Sequence, residues 1–186
     1  MDTVVLSGPP AVGKTTVARL LATKLPVKYV SGGDLLKELA IEKGYEVGGE
    51  DWWDTPPGRK FLLERSGDPR YDLEVDKKLE KLAQKGGYVI TSYALPWICK
   101  EGTKVWLKGS KKIRAERMAR RDSLTFEQAL KVVNVRDSQN AELYRKLYGY
   151  EFDRDLSVFH LVVDTEEIEA EKVSEVVKLY AELLNR

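Results

Sequence analysis

Residues 8–15 read Gly8-Pro9-Pro10-Ala11-Val12-Gly13-Lys14-Thr15 and fit G-x-x-x-x-G-K-[ST] at every constrained position. No other stretch limits the fold so tightly, because this pattern has a structural meaning only between a strand and a helix. Both are legible. Thr3-Val4-Val5-Leu6 is a short β-branched and apolar run that predicts a buried strand. After the loop, Thr16 to Leu25 carries Val17, Leu20, Leu21 and Leu25 at helical spacing. Between two such elements, glycines let successive backbone N–H groups turn inward around an anion. The helix start adds unpaired N–H groups and the positive end of its dipole. The pattern predicts a phosphate cradle of Gly8, Ala11, Val12, Gly13, Lys14, Thr15 and Thr16. Lys14 would reach the β and γ phosphates of a nucleotide, and the Thr15 hydroxyl would ligate Mg²⁺. The competing reading is a glycine-rich turn before an ordinary helix.

The 186 residues suit one domain, 1–186, and a chain of this length buries about 70% of its unfolded surface without staples. Lys and Arg number 31 against 30 Asp and Glu, which argues against a general nucleic-acid or membrane-surface binder, though not against a local basic cleft. Cys99 is the only cysteine, so no internal disulfide forms, and a cytoplasmic location is expected. The first strand signal begins at Thr3, so no signal peptide is expected. No apolar run approaches the ~20 residues of a membrane helix. A monomer or a homodimer is expected.

Strand signals recur at Val27–Val30, Tyr88–Thr91, Lys104–Leu107 and Phe159–Val163. Helical stretches are predicted at Leu35 to Gly44, Arg59–Arg65, Asp72–Lys85, Lys111–Arg121, Thr125 to Tyr148 and Ile168–Asn185. Thr125-x-x-Gln128 reads as a capping box. Residues 45–58, with Gly48-Gly49, Trp52-Trp53-Asp54 and Pro56-Pro57-Gly58, read as an aromatic loop. Strands alternating with helices imply an α/β fold of the P-loop NTPase type, a five-stranded parallel sheet with helices on both faces.

Together these residues resemble the nucleoside monophosphate kinases, and the archaeal cytidylate kinases most closely. Gly8 to Thr16 resembles their phosphate loop, and Ser31-Gly32-Gly33-Asp34-Leu35-Leu36 their serine-glycine-aspartate turn. Asp72-x-x-x-Asp76 resembles an aspartate pair before their third strand, and Arg114 to Arg121 their arginine-rich lid. Arg136-Asp137 through Tyr144 and Tyr148-Gly149 resembles the helix after the lid, and Asp155-Leu156-Ser157-Val158 the approach to the last strand. The resemblance implies an acceptor-binding insert at about 33–85, a lid at about 109–125, and phosphoryl transfer from ATP with Mg²⁺ to a nucleoside monophosphate, CMP, dCMP or UMP first. Two departures fall on the acceptor phosphate site. Lys37 stands where the family has an arginine, and Thr91-Ser92-Tyr93-Ala94 where it has glutamate-glycine-arginine. Arginine's fork and lysine's point charge are not equivalent on a phosphate. The departures imply a divergent branch with its donor site kept and its acceptor site changed. A kinase of another small metabolite or an RNA end is the first rival, and a low-turnover nucleotide switch the second.

On this reading Lys14, Arg117 and Arg121 stabilise the transferred group, and Arg114 joins the ATP contacts. A solvated charged face is the plainer account of that helix. Asp34 supports Mg²⁺ through water, or caps a helix. Lys37 and Arg59 replace the missing arginines, Arg136 is a further phosphate donor, and Ser92, Tyr93, Asp72 and Asp76 face the acceptor's base or sugar. The plainer account of Asp72 and Asp76 is an exposed helical face. Trp52 and Trp53 either stack on a base or clamp the insert, Tyr144 and Tyr148 pack, and His160 is structural at a strand edge.

Overall fold

The computed structural model describes residues 2–48, 52–53 and 55–184. Gly49, Asp54 and Asn185, which enter the loop and helix expectations above, lie outside the described residues. The strands are β1 (Val4–Ser7), β2 (Lys28–Ser31), β3 (Tyr88–Thr91), β4 (Thr103–Lys108) and β5 (Leu161–Asp164). They form one sheet in the order β2-β3-β1-β4-β5, with every pair parallel. The helices are α1 (Lys14–Lys24), α2 (Gly32–Glu42), α3 (Pro56–Gly67), α4 (Arg70–Lys85), α5 (Leu95–Ile98), α6 (Lys111–Asp122), α7 (Phe126–Tyr148) and α8 (Ala170–Leu184).

Strand alternation divides the core. Val4, Leu6, Val89, Val105, Leu107 and Val163 face α1 and α8, meeting Val17, Leu21, Val173 and Val177. Val5 and Ile90 face the opposite way and meet Leu36, Leu39, Phe61, Val75, Leu79 and Leu95. The second layer includes α3 and α4, so the insert is part of the core. Trp106, at the far end of β4, opens a separate aromatic layer with Trp97, Tyr144, Phe152 and Phe159. Ala115, Met118, Ala129 and Val133 join α6 to α7, so the basic helix is packed along its partner.

Most expected elements are present, and the differences have local causes. β5 begins two residues later than the apolar run, because His160 turns its Nδ1 to accept the Lys104 N–H at 2.9 Å. Helix α3 begins earlier, at Pro56, where Thr55 Oγ1 accepts the Gly58 N–H and proline suits the first helical turn. Helix α5 was not foreseen, since four residues are too few to show a period. Because β1 is central, the loop after it emerges mid-sheet at the carboxyl edge, where open α/β sheets bind ligands.

Candidate active site

The loop from Gly8 to Gly13 is shaped by backbone that side chains resist. Gly8 has φ 147°, and a Cβ there would lie 2.3 Å from the Leu107 carbonyl oxygen. Gly13 has φ 103° and precedes α1. Ala11 holds a left-handed φ of 60°, a costly conformation for a residue with a Cβ. Helices α2, α3, α6 and α7 each begin with a serine or threonine hydroxyl accepting a backbone N–H. Helix α1 has no such cap, and its first N–H groups face the loop. That arrangement fits an anion. Thr15 and Thr16 are exposed at the same end.

Lys14 is more engaged than its motif suggests. Its Nζ donates to the carbonyls of Gly8 and Pro9 at 2.7 and 2.8 Å and lies 4.6 Å from the centre of the Tyr93 ring. Burial holds the Lys14 ammonium below its ordinary pKa, and the Arg136 charge adds to this against the pull of Tyr93. Burial raises the Tyr93 phenol, but Lys14 and Arg136 outweigh it and the net shift is downward. Lys14, Tyr93 and Arg136 therefore sense one another, with Arg65 also bearing on Tyr93.

The three arginines of α6 at positions 114, 117 and 121 share a helical face but not one role. Arg114 is 3% exposed, and its guanidinium grips Asp137 through two bonds of 2.9 and 2.8 Å. It also donates to the carbonyls of Gly109 and Pro10. The expected ATP contact of Arg114 is thus corrected: its donors brace α6 and α7 against the phosphate loop. Arg117 donates to the Val12 carbonyl at 3.2 Å, to Thr165 Oγ1 at 2.9 Å and to the Thr165 carbonyl. Arg121 is exposed and pairs with Asp122.

Of the acceptor residues, Ser92 has a structural role as well. Its hydroxyl accepts the N–H groups of Ala94 and Leu95 at 3.2 and 3.1 Å and so shapes the start of α5. Asp34 is not the helix cap: Ser31 accepts the Asp34 N–H at 2.9 Å and donates its hydroxyl to Asp34 Oδ2 at 2.6 Å. Asp34 itself is exposed. Lys37 lies 5.7 Å from the Trp53 ring centre, and Arg59 is exposed on α3. Trp52 is 3% exposed, donates to the Glu46 carbonyl and packs on Phe61, so it clamps the insert.

The aspartate pair is buried, at 5% and 7% exposure, which rules out the exposed-face account of Asp72 and Asp76. Asp72 is gripped by Arg65 of α3 through three bonds of 2.5–3.2 Å. Tyr148 donates to Asp76 Oδ2 at 2.6 Å, so this tyrosine does more than pack. Burial, opposed by that hydroxyl and reinforced by Asp72, raises the Asp76 carboxyl to about 7. Arg65 and Tyr148, the partners of this pair, were not foreseen. The signal available was the pair itself: Asp72 and Asp76 flank Val75 and Leu79 on the apolar side of α4, and acids placed there need a partner.

Among the described residues no helix is long and apolar enough to cross a membrane, and no three metal-ligating side chains cluster. The chain matches the model of the cytidylate kinase-like family over residues 3–167. A cytidylate kinase of Ignicoccus hospitalis is 34% identical over 184 residues, covering 96% of this chain and 98% of that protein. One from Sulfurisphaera tokodaii is 30% identical over 184 residues, covering 95% and 93%. A solved shikimate kinase from Acinetobacter baumannii has a TM-score of 0.60 at 19% identity, covering 100% of this chain and 95% of its own. An uncharacterised protein from Eubacterium ventriosum reaches 0.72 at 15% identity, covering 98% of each. These two structural likenesses carry the P-loop kinase fold alone.

Proposed function

The chain belongs to the cytidylate kinase-like family, and we propose that it transfers the γ-phosphoryl group of ATP to a nucleoside monophosphate, with CMP, dCMP and UMP ahead of other acceptors. Membership makes it a phosphotransferase of the nucleoside monophosphate kinase group. One observation carries the acceptor reading. Lys14 lies against the Tyr93 ring, the charges of Arg136 and Arg65 bear on that tyrosine, and Arg65 is bonded to Asp72, which bears on Asp76. A phosphate at one end and a base at the other would suit a nucleoside monophosphate.

The uncapped start of α1 holds the donor phosphates. Lys14 turns from the Gly8 and Pro9 carbonyls to the transferred group. The Thr15 hydroxyl would hold Mg²⁺, with Asp34 toward its waters, and the ion would supply charge neutralisation. Arg136, whose charge bears on both Lys14 and Tyr93, joins Lys37 and Arg59 as a cation to replace the family's two arginines on the acceptor phosphate. An acceptor phosphate is already ionised near neutral pH, so no general base is required. Arg117 and Arg121 complete the charge on closure, which excludes water. A screen of CMP, dCMP, UMP and AMP with ATP and Mg²⁺, read as ADP release above the no-acceptor rate, tests this. Release with a pyrimidine monophosphate supports it. No release above background with any of the four at about millimolar concentration would overturn it in favour of another acceptor class.

A further inference from the structure

The two buried aspartates have different roles in the fold. Asp72 is neutralised by the guanidinium of Arg65, which takes both of its oxygens. Asp76 has no such cation. Tyr148 engages its Oδ2, and among the described residues Oδ1 has no hydrogen-bond partner. The groups facing Asp76 come from every element around it: Arg65 from α3, Asp72 from its own helix, and Tyr144 and Tyr148 from α7, with Tyr150 from the segment that follows. The Tyr150 ring runs parallel to Trp97, with centres 4.4 Å apart, and parallel to Tyr144 and Tyr148 at 6.0 and 6.1 Å. Through Tyr148, Asp76 thus lies beside a stack of flat aromatic rings. Stacked rings and one free carboxyl oxygen are the elements from which a site for a planar base is made.

Cytosine and uracil differ in a simple way at the edge such an oxygen can reach. At ring position 3 cytosine accepts a hydrogen bond and uracil donates one; at position 4 cytosine donates and uracil accepts. A protonated carboxyl offers a donor on its free oxygen, and a carboxylate offers only acceptors. Whichever of the two positions faces Asp76, the acid form suits one base and the ionised form suits the other.

We propose that Asp76 is the specificity-determining residue for the acceptor base, reading position 3 or 4 of a pyrimidine, and that the enzyme's preference between CMP and UMP changes as this one carboxyl loses its proton. The inference rests on the nucleotide reading above and deepens it. The midpoint falls near neutral pH, because burial lifts Asp76 to about 7 while Tyr148 holds it down. The effect is roughly tenfold across the titration, since a mismatched buried polar group is worth about that much in selectivity.

The experiment measures kcat/KM for CMP and UMP from about pH 5.5 to about 8.5, below the range where uracil loses its own N3 proton. Both substrates carry the same phosphate and sugar, so their ratio cancels every titration except one that senses the base. A ratio that moves through a single one-proton step is expected. In Asp76→Asn, whose amide is donor and acceptor at every pH, the ratio should be flat. A flat ratio in the unmodified protein, or a step that survives in Asp76→Asn, overturns the proposal. Should Asp76→Asn fail to fold, Tyr148→Phe gives the second reading. Removing the hydroxyl that stabilises the carboxylate should move the step to higher pH, and an unmoved step overturns the proposal. Turnover of neither CMP nor UMP would end this inference together with the nucleotide reading, whereas turnover of both at a constant ratio ends this inference alone.

Discussion

The donor and acceptor sides of the cleft are built on opposite plans. The proposed donor side is local: one loop of six residues and the uncapped first turn of α1 form its cradle, with backbone N–H groups as the proposed donors. The acceptor side is assembled across distance. Arg65 comes from α3, Asp72 and Asp76 from α4, Tyr93 from beyond β3, and Tyr148 from the end of α7. Backbone donors on a strand–loop–helix unit are placed by that unit's geometry and tolerate varied side chains. Buried charges brought in from separate elements must neutralise one another, so each depends on its neighbours. Damage to the donor side should therefore appear in catalysis, and damage to the acceptor side in stability first.

The largest effect tests that contrast. Arg65→Ala should cost about 3–5 kcal/mol of stability, because it leaves Asp72 buried without its cation. Urea unfolding followed by circular dichroism measures it. Replacing both partners, Arg65→Leu with Asp72→Leu, should recover much of the loss, since the desolvated charge is then gone. A loss under about 1 kcal/mol in the single variant would show that Asp72 reaches water, and the two sides would no longer differ in kind.

That difference also explains what was legible. The phosphate loop, the parallel sheet and the capping box at Thr125 are short-range patterns, and each stands where its spacing puts it. Arg65 and Asp72 are seven residues apart on two helices, and only the turn at Asp68-Pro69 brings them together. No period in the sequence encodes that angle. Arg114 shows the same limit on the donor side. Its spacing matches Arg117 and Arg121, yet Asp137 on the next helix draws it inward. Charge patterns reveal a helical face but not which charges that face will bury.

Lys14→Ala comes next in size. It should lower turnover by about a hundredfold or more, on the order of 3 kcal/mol in the transition state, with little change in unfolding. The loop carbonyls of Gly8 and Pro9 that it engages can turn to water. Steady-state kinetics with a pyrimidine monophosphate checks this, and ordinary turnover would remove Lys14 from the transferred-group role. Arg114→Ala should fall below both, at about 1–3 kcal/mol of stability, because the side chain of its partner Asp137 is 22% exposed and can be hydrated. It should also raise the KM for ATP, since the Pro10 carbonyl loses the brace that fixes the loop. A stability loss with an unchanged KM would confine Arg114 to joining α6 and α7.

The smallest effect concerns Asp34, the one acidic side chain assigned to the metal. Ser31 supplies the cap of α2, so Asp34→Asn should leave the helix and the fold as they are. The amide oxygen can still accept the Ser31 hydroxyl that now reaches Oδ2. What changes is charge alone. A carboxylate is a better partner for the waters of Mg²⁺ than a neutral amide, and an exposed position limits the difference to a few-fold. The expected outcome is a Mg²⁺ titration of activity displaced a few-fold to higher concentration, with the plateau only modestly lower. Because the cap is separate, a displaced curve cannot be ascribed to a frayed helix. A curve that overlays the unmodified protein would leave Asp34 as the partner of Ser31 only, and the metal would then rest on the donor side, on Thr15 and the phosphates.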